Sequence, residues 1–372
     1  MASAAIALRR LVSQRIVASR RCEQPAEVVR WLGAMQAQDY YQSLWAIGAR
    51  LRAATVEGVE RAIAERRILR TWLMRGTIHF APPEDVRWLL ALCAPRLAAA
   101  ELRRHEQLGL TEAHVERCGE LLSGALAGDR RLTRPQVMQL FGDAGIDTAG
   151  QRGYHILVRL ARSALICLGP MQGKQQTFVL LDDWAPRAES LDLSREDSLR
   201  LLASRFAVSR GPVTEQDFAR WAGLPVTDAR RGLRAAGLAV RAFDGTDYWL
   251  AADAADGPAP PAGRRRTYLL AGFDEYFLGY KDRDALLERH HSENIAPGAN
   301  GVFRPLIVAG GQIVGTWARA VHGEELTISL DPFAAAAELV EQVEPEAERF
   351  RDFLGLPSAT APVLDLATRG PC

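Results

Sequence analysis

Mostly helix, with short strands paired as hairpins, is the fold class expected of these 372 residues. Three observations lead there. Between residues 195 and 255, three helical stretches are followed by two strand-like runs that meet at Asp244-Gly245, a strong hairpin signal. The same order of elements recurs at 111–185 and, less cleanly, within 1–100, with no sequence repeat linking the three. A composition of 48% hydrophobic and 24% charged residues is that of a globular protein, and no apolar run reaches the roughly 18 residues of a membrane span. Three helices and a hairpin make the winged-helix order, a variant of the helix-turn-helix. Such modules bind DNA but also separate protein domains, so the pattern speaks more for fold than for function.

The clearest module runs from 191 to 255. Arg195–Ala207 reads as a helix and Gly211-Pro212 as a turn. Thr214 is placed to cap Glu215–Ala222, whose early acids suit the helix dipole. Gly223 ends that helix, Thr227 caps Asp228–Ala236, and Gly237 stops it. Leu238–Phe243 and Tyr248–Leu250 supply the wing. A second module is expected at 106–190. Its helices begin at Thr111 and at Thr133-Arg134-Pro135, a third runs Tyr154–Leu168, and its wing lies at Gln175–Leu181.

The first module, 1–105, has helices at Ala26–Leu32, Leu44–Leu51, Val56–Glu65 and Pro83–Leu92. Strands Ile68–Leu73 and Thr77–Phe80 flank Arg75-Gly76. Residues 252–266, with Gly-Pro-Ala-Pro-Pro at 257–261, read as a linker. The remaining 256–372 is a mixed α/β region. It has a strand at Tyr268–Phe273, a hairpin across 302–319 turning at Gly310-Gly311, and a last helix from Pro332 to about Leu354.

Composition excludes several classes. The five cysteines are scattered without a CxxC pair, which fits a reducing compartment and argues against a structural zinc site. The N-terminal charges follow a short apolar stretch, the reverse of a secretory signal. No Walker loop, GxGxxG helix opening or GxSxG elbow is present, so nucleotide-binding and serine-hydrolase readings lack their signatures. Net charge is only +1, yet residues 1–75 carry thirteen arginines against six acids, which suggests a phosphate-facing surface. Coding bias toward arginine and solvated helix faces would give the same count.

Two amides stand out. Gln36 and Gln38 flank Ala37 between apolar stretches, and in an extended segment their side chains point the same way. Neutral hydrogen-bonding groups so placed hold water, a base edge or a sugar, or else cap a helix and tie a loop. Asp274-Glu275, at a strand end, reads as catalytic carboxylates or metal ligands, or as a helix cap bound to an arginine. His79, between Ile78 and Phe80, reads as a base or ligand, or as a hydrogen-bonded residue at the core edge. Asn300-Gly301 is most simply a turn.

Four blocks then carry a resemblance. Gln36-Ala-Gln38-Asp39, Arg70-Thr-Trp72-Leu-Met-Arg75-Gly-Thr77-Ile-His79, Phe273 through Arg283, and Arg304-Pro305 with Gly315-Thr316-Trp317 occur in the order seen in AlkZ/YcaQ-type bacterial DNA glycosylases. The chain resembles that winged-helix family from about residue 6 to 355. The resemblance implies tandem winged helices and the C-terminal α/β region around a DNA-binding channel. It implies removal of N7-alkylated guanine from double-stranded DNA and, in some members, unhooking of interstrand crosslinks. Its motif is Gln-x-Gln in one branch and Gln-x-Asp in the other, so Gln36 and Gln38 side with the crosslink-unhooking branch and are the expected catalytic pair.

Asp39, Arg75, Thr77, His79, Arg304, Gly310, Gly311, Gln312 and Trp317 are the expected DNA-binding or supporting residues, with the 302–319 hairpin engaging the duplex. No metal and no cofactor is expected, and the protein is read as a cytoplasmic monomer. Lys174 and Lys281 are the only lysines, so an amine able to form a Schiff base is scarce and a monofunctional glycosylase follows. The rival readings are a winged-helix transcription regulator, which would bind palindromic half-sites as a dimer, and a non-catalytic damage-binding protein.

Overall fold

A computed structural model describes residues 2–187, 191–255, 266–299, 301–334, 338–357 and 363–366. The chain divides into two compact units, one formed by 1–59 with 200–372 and the other by 60–199. The segment expected as a third winged helix lies mainly in the first unit and that expected as a second lies in the other. The region 1–105 is shared between them. Of the expected linker, Ala252–Ala255 forms a helical turn, while 256–265, like Asn300 of the expected turn, lies outside the described residues.

In the first unit the winged helix forms as its sequence dictates. Helix Glu215–Ala222 is capped by Thr214, whose hydroxyl accepts from Asp217 N at 3.1 Å while the Asp217 carboxylate accepts from Thr214 N at 2.9 Å. Gly223 closes it in the left-handed conformation. The next helix, Val226–Ala235, starts two residues earlier than a Thr227 cap suggested, because Pro225 stands at its N-cap. Strands Ala239–Phe243 and Thr246–Leu250 pair across Asp244-Gly245, both at positive φ as a type I′ turn requires. Val213 and Trp249 exchange main-chain bonds of 3.0 and 2.8 Å, adding the short third strand of a winged helix.

The same unit contains a five-stranded sheet in the order 363–366, 325–332, 312–322, 306–309, 267–270, parallel only at its first pair. Helix Leu339–Phe353 covers it, and helix Tyr40–Gly48 packs beside it through Trp45, whose ring meets Phe350 and Phe353 at 4.9 and 5.1 Å. Gly48 is needed there: a Cβ would sit 2.8 Å from the Phe353 ring. Pro332 ends strand Glu325–Pro332 rather than opening the last helix, which starts at Leu339. That strand was not among the expected elements, although Glu325-Leu-Thr-Ile-Ser-Leu-Asp331 alternates polar and apolar residues as a half-buried strand does.

In the second unit, strands 78–81, 69–72, 166–168, 177–180 and 132–133 lie side by side in that order. Helices Val86–Gln107, Glu112–Leu126, Arg134–Asp143 and Arg152–Arg162 belong to this unit. The helix expected over Tyr154–Leu168 stops at Arg162, because Ala164 takes a φ of 60° and Ile166–Leu168 pairs as a strand. An apolar run of that length does not distinguish helix from buried strand. Among the described residues no helix is long and apolar enough to cross a membrane.

Candidate active site

The Gln-x-Gln segment is a short link between two well-defined helix ends. Helix Pro25–Leu32 begins with proline and a Gln24/Glu27 capping box and ends at Gly33, φ 74°. Helix Tyr40–Gly48 begins at Asp39, whose carboxylate accepts from Gln42 N at 3.1 Å. Between them Met35–Gln36 is extended, and the chain bends at Gln38 and Asp39. Gln36 is buried, at 8% exposure, whereas Gln38 and Asp39 are exposed. The first amide is thus enclosed by protein and the second opens to solvent.

The main chain of this link is clamped by Glu275. Its Oε1 accepts from Gln36 N at 2.9 Å. Its Oε2 accepts from Trp221 Nε1 at 2.8 Å and from Arg210 Nε and Nη2 at 3.1 and 2.8 Å. Arg210 in turn donates to the carbonyls of Leu32 and Ala34, each at 2.8 Å. The guanidinium therefore holds the chain before Gln36 while the carboxylate holds Gln36 itself. Arg210 is 0% exposed and Glu275 1%. A buried ion pair recovers its desolvation cost only when its remaining donors and acceptors are also used, as here.

Asp274 anchors a second such pair. Its two oxygens accept from Arg50 Nη1 and Nη2 at 2.9 and 2.8 Å, and Oδ1 also caps Tyr276 N at 2.8 Å. Burial opposes the Arg50 charge, but Asp274 outweighs it and the pKa is raised. Gln14 joins the two pairs: its carbonyl oxygens accept from Arg50, and its amide donates to Glu275 O at 3.2 Å and Tyr280 Oη at 2.9 Å. Asp274 and Glu275 thus take the cap-and-arginine reading rather than that of exposed catalytic groups. Arg210, Trp221, Gln14 and Arg50 were missed from sequence, since an arginine in the last turn of a helix is ordinary.

The expected DNA-binding hairpin packs against the protein at its turn. Gly310-Gly311 is not a free tip: a Cβ on Gly311 would lie 2.9 Å from Ala7 Cβ, and Tyr276 Oη donates to Gly311 O at 2.7 Å. Gln312 donates to Ala285 O at 2.7 Å. Trp317 is buried, bonds Leu270 O at 2.9 Å and packs on Phe350, a place that supports the sheet. Arg304 is exposed beside Phe303, whose ring meets Phe273 and Phe277. What projects is the next hairpin, where Ala318–His322 and the turn to Glu325 are exposed. Arg319 stands at its root over the Phe350 ring, its pKa lowered by burial and partly restored by Asp39.

Arg75, Thr77 and His79 belong to the second unit. Arg75 and Gly76 form a tight turn at positive φ, closed by Gly76 N to Leu73 O at 3.1 Å. His79 is wholly buried with Nδ1 2.9 Å from Thr77 O, the core-edge reading. The basic N-terminal third is also less available to phosphate than its charge suggested: Arg9, Arg10, Arg21, Arg50 and Arg70, five of the thirteen, are buried.

A winged helix sharing its unit with a clamped polar link defines the class, a protein of winged-helix architecture. The family model described as DNA glycosylase AlkZ-like matches residues 29–353, and the chain belongs to that family of DNA glycosylases. It is 27% identical over 338 residues to the "Interstrand DNA cross-link repair glycosylase" of Streptomyces sahachiroi, covering 87% of this chain and 88% of that protein. The solved structure of Streptomyces sahachiroi DNA glycosylase AlkZ matches at a TM-score of 0.79 and 24% identity over 98% of each chain, a likeness of fold.

Proposed function

We propose that this DNA glycosylase hydrolyses the N-glycosidic bond of N7-alkylguanine in duplex DNA and unhooks interstrand crosslinks built on that position. The observation that carries the reading is the clamp on the main chain at Gln36, whose side chain is enclosed, while Gln38 is left open to solvent. Alkylation at N7 makes guanine a cationic leaving group, so the base departs without a strong general acid. What remains is to orient a water at C1′ and stabilise an oxocarbenium-like sugar, within the reach of two amide oxygens. The Gln-x-Gln motif, and the crosslink-repair name carried by the Streptomyces relative, favour the crosslink substrate.

The action is monofunctional. Lys281 directs its ammonium to Gln216 Oε1 at 2.7 Å, and its main-chain N–H bonds Asp217 at 2.7 Å, a supporting place in the winged helix. The protein works as a cytoplasmic monomer on double-stranded DNA.

Base release from duplexes carrying N7-methylguanine or a nitrogen-mustard crosslink tests this directly. Both bases should be released, leaving abasic sites without strand breaks, and borohydride should trap no covalent complex. Absence of release from both, or a trapped adduct, refutes the corresponding half. The 318–328 ribbon, rather than the Gly310-Gly311 turn, takes the DNA-engaging role. Replacing Val321–Glu325 by a tight turn should weaken duplex binding and excision while leaving Tm near its original value, since these residues are exposed. A large fall in Tm, or unchanged binding, counts against it.

A further inference from the structure

We propose that Glu101, His105 and His155 form a site for a divalent transition-metal ion of the zinc class, pinning two helices of the second unit. Glu101 and His105 stand four residues apart on helix Val86–Gln107 and therefore share a face. His155 comes from helix Arg152–Arg162. One ligand atom from each of the three lies within 4.8 Å of the others, and His105 Nε2 is 3.8 Å from Glu101 Oε2. Ligands held about 2.0–2.2 Å from a tetrahedral ion are roughly 3.3 Å apart, so small side-chain rotations close the set.

The second, independent observation is the state of the nitrogens. His105 Nε2 and His155 Nδ1 are both buried and neither has a hydrogen-bond partner. Native folds rarely leave such atoms unsatisfied, and a metal satisfies both at once. Burial lowers both imidazole pKa values, favouring the neutral form that coordinates. A cavity of about 340 Å³, lined by Glu101, His105, Arg159 and Arg162 but not by His155, adjoins two of the three ligands.

Charge sets the selectivity. Arg162 donates to Glu101 Oε2 and Arg159 pairs with Glu112, while Arg104, hydrogen-bonded to Gln107 and Gln151, adds a positive charge near His155. The oxygen nearest His105 is the one Arg162 holds, so Glu101 binds the ion by sharing Oε2 with Arg162 or by turning Oε1 toward it. With no surplus negative charge the nitrogen donors dominate, which suits Zn²⁺ or Co²⁺ and not Mg²⁺ or Ca²⁺. This departs from the metal-free expectation, because ligands on helices far apart in sequence leave no spacing motif.

The test is Co²⁺ titration of tag-free, chelator-treated full-length protein. A saturable single equivalent should give visible ligand-field bands, displaced by Zn²⁺ and not by Mg²⁺, and Zn²⁺ should raise Tm. His105→Ala and His155→Ala, checked for fold by circular dichroism, should abolish both effects. His290→Ala with His291→Ala, which removes the exposed Glu288-His290-His291 group, should not. Folded wild-type protein that binds no Co²⁺, bands that survive both His105→Ala and His155→Ala, or equal displacement by Mg²⁺ would each overturn the site. Because the wild-type titration is decisive by itself, a variant that fails to fold does not rescue the proposal.

Discussion

Glu275→Ala is expected to cost about 3–5 kcal/mol of stability, because it leaves the Arg210 guanidinium charged, wholly buried and without its carboxylate. It also removes the acceptor of Gln36 N and of Trp221 Nε1. Glu275→Gln separates the two consequences. An amide carries one oxygen, whereas Glu275 accepts at both: Gln36 N at Oε1 and three donors at Oε2. Whichever way the amide is turned, an NH₂ group faces a donor, so one half of the clamp is lost while the volume is kept.

This milder variant should fold and bind duplex DNA with little change in KM. Its kcat should fall by about 10²-fold, the scale expected when a catalytic group is misplaced by about 1 Å. Thermal melting and single-turnover base release read the two effects separately. A Glu275→Gln protein with full kcat would mean that the carboxylate serves the fold alone.

How far the sequence exposed this arrangement depends on how local each determinant is. The winged helix at 195–255 was legible because capping residues, left-handed glycines and a two-residue turn act within a few positions. The Gln-x-Gln link was legible in part: the helix before it was expected at Ala26–Leu32 and runs Pro25–Leu32, but the helix after it was expected at Leu44–Leu51 and starts at Tyr40, behind the Asp39 cap. Strand Glu325–Pro332 was not among the elements expected, although its strict polar–apolar alternation is the local mark of a half-buried strand. Nor was the clamp: Gln36, Arg210, Trp221 and Glu275 are far apart in the chain and meet only in the folded unit. At the Gly310-Gly311 turn the missing side chain of Gly311 has a packing role that no local pattern marks, since it admits the N-terminal helix at Ala7.

Gln36→Ala and Gln38→Ala are each expected to reduce base release by about 10²-fold or more, with Tm changed little. Stability should hold for different reasons at the two sites. Gln36 is anchored through its backbone N–H to Glu275, which a side-chain truncation leaves in place. Gln38 is exposed, so its truncation opens no cavity in the core. The effects should also be non-additive. If the two amides hold one water, either loss releases it, and the double variant should be scarcely slower than the worse single one. Independent roles, such as one amide on water and the other on the sugar, predict that the two losses multiply. Single-turnover rates of the two single variants and the double, on the N7-methylguanine duplex, separate these cases. Near-wild-type rates in both singles would remove the catalytic assignment altogether, leaving the amides as ties for the link between the two helices.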